Sequence, residues 1–163
     1  MAKKILVSVL ILLGTVVLFL DWRLFTGDKK MGDAETVVKI FFASTSTDPN
    51  FLDCSQVVAV ERKIEGSEMM AERSLQELLK GPNTEEKNSG YFTSINSGVK
   101  ILNFSITNKQ AVVDFSGELG AGVGGSCRVT SIRSQIENTL KQFFGIEDVL
   151  IKINGQSEDV LQP

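Results

Sequence analysis

Gly120-Ala121-Gly122-Val123-Gly124-Gly125 spells a G-x-G-x-x-G between a predicted strand and a predicted helix. In a dinucleotide-binding unit such glycines let backbone N–H groups approach a pyrophosphate at the start of the helix. Three features argue against that chemistry. The preceding strand is half of a hairpin, Glu147 and Asp148 come before the next strand instead of at its end, and the loop is expected outside the cytoplasm, where NAD is scarce. Ser126 stands where a Walker A loop requires lysine, so that variant fails as well. Two readings are left open. The glycines form a flexible loop that turns the chain into the helix, or free N–H groups at the helix start, with Arg128 alongside, hold a carboxylate or other anion of a partner.

Histidine is absent, which removes the commonest general base and the commonest zinc ligand together. The chain has two cysteines, Cys54 and Cys127, which cannot make a thiolate metal cage by themselves. In an exported domain they are expected to form a disulfide, the alternative being two unrelated buried thiols. Both would lie at one end of the sheet if the first and fourth strands are parallel neighbours. A carboxylate pair for glycan hydrolysis need not be close in sequence, and nothing selects one here. Glu85 and Glu86 follow a helix stop and read as a solvated turn, while Asp114 is expected to pair with a lysine on the sheet. No metal and no cofactor are expected.

The compartment follows from the N-terminus. Ile5 to Leu20 carries no charge and sits behind Lys3 and Lys4, and Trp22 and Phe25 suit the headgroup level. Residues 1–25 are read as an uncleaved transmembrane signal anchor. The protein would then be single-pass in the cell membrane, with a cytoplasmic N-terminus and an extracytoplasmic domain. The rival is a cleaved signal peptide, which needs small residues after the apolar run, whereas Asp21-Trp22-Arg23-Leu24-Phe25 is bulky. Residues 26–36 are a linker, residues 37–155 one domain, and residues 156–163 a polar, mobile tail.

Within the domain the period changes to two at Val37, where Val38, Ile40 and Phe42 alternate with Val37, Lys39 and Phe41. Further strands are expected around Val57 to Ile64, Val99 to Thr107, Ala111 to Ser116 and Val149 to Ile153, with Asn108-Lys109 as a hairpin turn. Ala71, Leu75, Leu78 and Leu79 share a helix face that starts near an N-cap at Ser67 and stops at Lys80-Gly81-Pro82. Val129, Ile132, Ile136, Leu140 and Phe143 make a second helix ending near Gly145. The order is β-β-α-β-β-α-β, an α+β fold with a mostly antiparallel sheet of about five strands and both helices on one face. Counting by twos, Lys39, Phe41, Glu61, Lys63 and Asp114 face outward. A large aromatic ringed by charge suits a contact anchor, so these residues, with Arg128, are the candidate interaction surface.

Three segments carry a family resemblance: Leu78-Leu79-Lys80-Gly81-Pro82-Asn83-Thr84-Glu85-Glu86, then Gly98-Val99-Lys100-Ile101-Leu102, then Val112-Val113-Asp114-Phe115-Ser116. With Gln135-Ile136-Glu137-Asn138-Thr139-Leu140 after them, the order resembles the GerMN (sporulation and spore germination) domain over about Val37 to Ile153. Asn96-Ser97-Gly98-Val99 departs from the family's proline-containing turn. Its members are typically lipoproteins or anchored envelope proteins, some in sporulation assemblies, and the domain is similar to ring-building modules of secretion machines. The resemblance implies non-enzymatic binding or assembly, and no catalytic residue is carried over. Partners are expected among other envelope proteins or cell-wall components, a second copy of the chain included. The net charge of -3 gives no basic footprint for nucleic acid. The competing function is a cell-wall-acting envelope enzyme that uses carboxylates.

Overall fold

Strand β1 (Thr36–Ser44) keeps the alternation of its sequence, with Val38, Ile40 and Phe42 buried and Val37 and Lys39 exposed. The computed structural model describes residues 35–50, 52–66, 69–158 and 160–161. The expected anchor, nearly all of the linker and the expected N-cap Ser67 fall outside them. β1 pairs antiparallel with β2 (Val58–Ile64), from Thr36↔Ile64 to Phe42↔Val58. Its last two residues pair on the other edge with a short β3 (Tyr91–Phe92), through Ala43↔Phe92 and Ser44↔Tyr91.

A hairpin joins β4 (Ile101–Thr107) to β5 (Gln110–Phe115). Its turn residues Asn108 and Lys109 both have positive φ, 50° and 64°, as a tight two-residue hairpin turn requires. β6 (Asp148–Ile153) then lies parallel to β5, from Gln110↔Asp148 to Phe115↔Ile153. Three α-helices complete the described residues: α1 (Met70–Lys80), α2 (Thr84–Asn88) and α3 (Ser126–Lys141). α1 packs on β1 and β2, and α3 packs on α1, β1 and β6. Phe42, Phe115, Leu75, Leu78, Ile132, Ile136 and Leu140 are wholly buried in one core that both sheets share.

The α+β class stands, and the finer architecture is corrected. Among the described residues there are two three-stranded sheets, β2-β1-β3 and β4-β5-β6, in place of one sheet of five strands. The second sheet mixes antiparallel and parallel pairing because α3 serves as a crossover. α3 meets the edge of β1, where the Gln142 amide accepts from Lys39 N–H at 2.8 Å and donates to Lys39 C=O at 2.6 Å. The side chain thereby pairs an edge that would otherwise be open to another strand.

At the end of α1, Gly81 takes φ 75° and donates to Leu78 C=O at 2.9 Å before Pro82, so the expected helix stop is present. The expected solvated turn after it is instead α2. Asn83 accepts from Glu86 N–H at 2.9 Å and its own N–H donates to Glu86 Oε2 at 2.7 Å, a reciprocal cap. Glu86 also takes a two-pronged pair from Arg62, Nη1 to Oε1 at 2.6 Å and Nη2 to Oε2 at 2.7 Å, with side chains only 17% and 13% exposed. Glu85 does face solvent. We expect a cycle of Arg62→Met, Glu86→Gln and the double variant, read by chemical denaturation, to give a coupling of about 2 kcal/mol. That figure lies between exposed pairs and fully buried ones. Additivity of the two substitutions would show that the pair contributes nothing specific.

The end of the chain is also corrected. Val160 and Leu161, expected in a mobile tail, are 8% and 6% exposed and join the core. Arg133 holds them, donating from Nε to Leu161 C=O and from Nη2 to Val160 C=O, both at 3.1 Å.

Candidate functional site

The C-terminal end of β1 and the N-terminal end of α3 meet at a groove of about 440 Å³. Ala43, Phe92 and the disulfide give it apolar walls, and Asp48, Asp53, Ser94 and Arg128 give it polar ones. Cys54 and Cys127 are bonded with Cα atoms 5.1 Å apart, so the loop after β1 is tied to the first turn of α3. The expected pairing is therefore present, but its expected cause is not. β1 has β2 and β3 as neighbours, while the strand from Gln110 to Phe115 belongs to the other sheet. The cysteines meet because a strand end and a helix start share one end of the fold.

Each polar wall has an internal commitment. Asp48 accepts the N–H groups of Leu52 and Asp53, one on each oxygen, both at 2.9 Å. Asp53 accepts the Ser55 hydroxyl at 2.5 Å and the Ser55 N–H at 3.1 Å. These two bonds, the hydroxyl first, hold its carboxyl below the usual carboxylate range. Arg128 donates from Nη2 to Asn96 Oδ1 at 2.6 Å, from Nη1 to Gly122 C=O at 3.3 Å and from Nε to Ser94 C=O at 3.4 Å. Asn96 in turn donates to the carbonyls of Glu118 and Ala121, at 2.7 and 2.8 Å. The glycine loop is thus clamped from two sides where a flexible loop was expected. Its glycines are needed for backbone shape at Gly122 and Gly125, with φ 63° and 84°, whereas a side chain would meet only open space.

One expected objection to the dinucleotide pattern holds, since Glu147 and Asp148 lie before and at the start of β6, and another does not. β5, α3 and β6 do form a parallel crossover, which a hairpin strand had seemed to preclude. What is missing is the tight turn, since residues 116–125, including a 3₁₀ turn at Gly117–Leu119, separate β5 from α3. Gly125 occupies the N-cap position and brings no side chain to cap the helix.

The candidate surface divides into three places. Lys39, Phe41, Glu61 and Lys63 share the outer face of β1 and β2, where Lys39 lies opposite Glu61 and Phe41 opposite Ala59. Phe41 is half-buried and stands apart from the core cluster. Lys63 pairs with Glu35 at 2.9 Å. Asp114 belongs to the second sheet, opposite Lys152, and accepts from Gly155 N–H at 2.8 Å. Arg128 is at the groove.

Sequence reasoning missed the polar links that fix these parts. Gln135, wholly buried, accepts from the Thr93 hydroxyl at 2.8 Å and donates to the Ser131 hydroxyl at 3.1 Å. Ser131 also accepts from Ser94 at 2.9 Å, and Thr139 accepts from Phe41 N–H at 3.2 Å. The available signal was the i, i+4 spacing of Ser131, Gln135 and Thr139, a polar stripe beside the apolar one.

The family model described as Germane, "sporulation and spore germination", matches residues 39–159. Among solved structures, the chain is similar to the first GerMN domain of the sporulation protein GerM from Bacillus subtilis. The two are 23% identical with a TM-score of 0.59, over 75% of this chain and 85% of that one. It is similar to the tandem GerMN domains of the same protein at 20% identity and TM-score 0.60, over 79% of this chain but only 43% of the tandem chain. A putative lipoprotein from Clostridium perfringens is 18% identical with a TM-score of 0.50, over 83% and 84% of the two chains. At these identities the likeness is one of fold. No curated protein matches the chain.

Proposed function

This chain belongs to the sporulation and spore germination family, and on that premise we propose that it is a membrane-anchored module that binds another protein, or a cell-wall component, outside the bacterial cell membrane. The charge-free run behind Lys3 and Lys4 supports the anchor. A relative described as a putative lipoprotein is consistent with an envelope location. The observation that carries the binding role is the groove. A disulfide, a clamped glycine loop and a capped acidic loop hold its walls fixed, and a pre-formed surface lowers the ordering cost of association. The groove acids are engaged with backbone N–H groups of their own loop, which favours holding a partner over glycan hydrolysis.

The test is a photo-reactive residue placed in the envelope-borne protein, either at the groove rim position Gln56 or on the β1–β2 face at Lys63, both exposed. The expected result is a discrete adduct from Gln56 in native envelopes. An adduct from Lys63 alone would move the interface to the face around Phe41. A chain that fractionates with membranes yet gives no adduct from either site would sink the interaction reading.

A further inference from the structure

Three large apolar side chains are exposed at the end of the domain opposite the groove: Val37, Ile106 and Phe144, with Phe144 wholly in solvent. Their grouping follows from backbone contacts. Gln142 holds Lys39 near the start of β1, and the N–H groups of Glu147 and Asp148 donate to Lys109 C=O in the turn that follows Ile106. Phe144 therefore tops a loop between β1 and the β4–β5 turn. The chain enters the domain at this same end, at Glu35 and Thr36.

We propose that this end rests on the lipid surface, with Phe144 inserted among the acyl chains and Val37 and Ile106 at the headgroup level. The inference rests on the reading of residues 1–25 as an anchor. The nine residues from Thr26 to Ala34 span at most about 30 Å when extended and roughly half that as a coil. A tip tethered that closely meets the bilayer at a high effective concentration, so one aromatic and two aliphatic side chains suffice. Attraction between charges is not the driving force. Lys109 pairs with Glu147, Lys141 with Glu137 and Lys63 with Glu35, so the basic groups here are largely matched. The contact should accordingly form on zwitterionic lipid and persist in salt.

The geometry also gives the groove its direction. With one end of β1 at the membrane, the groove at its other end faces outward, toward envelope partners.

The test uses the full-length chain carrying Trp22→Phe, which removes its single native tryptophan, together with Phe144→Trp as a reporter. It is reconstituted into phosphatidylcholine vesicles with brominated acyl chains, and Leu52→Trp in the groove-side loop serves as the comparison. The expected result is loss of most of the emission from the Phe144→Trp reporter and none from the Leu52→Trp reporter. Flotation of the same vesicles separates the two ideas. A chain that fails to float has no anchor, and this inference falls with it. A chain that floats while both reporters stay bright keeps its anchor and overturns the lipid contact. Emission from the Phe144→Trp reporter that is blue-shifted but unquenched also overturns it, because this end would then be covered by protein.

Discussion

Replacing Cys54 and Cys127 together with serine should lower the unfolding free energy by about 4 kcal/mol. The bond spans a sequence separation of 73, and closing a loop of that length removes about this much entropy from the unfolded chain. For a domain of this size the thermal midpoint should fall by about 15 °C. Adding reductant to the unmodified protein should reproduce the shift, and adding it to the double variant should change nothing. The loss has a place as well as a size. Leu52 to Val57 is tied to the helix through Cys54, while Asp48 and Asp53 bond within the loop itself. Hydrogen exchange should therefore rise first in that segment, while the buried strands β1 and β5 keep their protection. A loss under about 1 kcal/mol, with unchanged exchange in the loop, would mean that the groove wall stands without its bond.

That disulfide also shows where reading the sequence reaches its limit. The expectation of export and the count of two cysteines made the pairing legible, yet the strand adjacency invoked for it is absent, because no local pattern tells which strand ends share a side of the fold. Elements longer than their own period were readable: the alternation in β1, the i, i+3, i+4 stripe of α3 and the Asn108-Lys109 turn. β3 has two residues and α2 five, too few to show a strand's or a helix's repeat, and neither was seen. The parallel β5–β6 pairing was hidden because β5 is shared between a hairpin and a crossover, and the hairpin is the louder local signal. Val160 and Leu161 look like tail, because the core contacts and the Arg133 fork that hold them come from residues distant in sequence. At the groove, Cys54, Cys127, Arg128 and the glycines stood out by type. Asp48, Phe92, Ser94 and Ser131 did not, because they come from separate segments and acquire meaning only by assembly.

Gln135 begins a run of hydrogen bonds that leads from the middle of α3 to the groove. In Gln135-Ile136-x-x-Thr139-Leu140 the two apolar residues enter the core, and Gln135 and Thr139, four apart, present a polar stripe to whatever lies alongside. Thr139 meets the backbone of β1 at Phe41, and Gln135 meets Thr93 and Ser131. From Ser131 the bonds run through Ser94, whose carbonyl receives Arg128, to Asn96 and the glycine loop. Gln135→Ala should cost about 3 kcal/mol, part from the cavity left by a wholly buried side chain and part from two lost hydrogen bonds. Gln135→Leu fills the space and should cost about 2 kcal/mol, since Ser131 still accepts from Ser94 while the Thr93 hydroxyl, which still accepts from Ile95 N–H, loses the acceptor of its proton. Denaturation curves measure both losses, and amide exchange at Ser94 to Gly125 reads their reach. If the leucine variant is as stable as the parent and the loop exchanges no faster, the glutamine merely fills space. If both variants loosen the loop beyond what their stability loss explains, the signature encodes the position of Arg128 at the groove, some two helical turns away from the residue that specifies it.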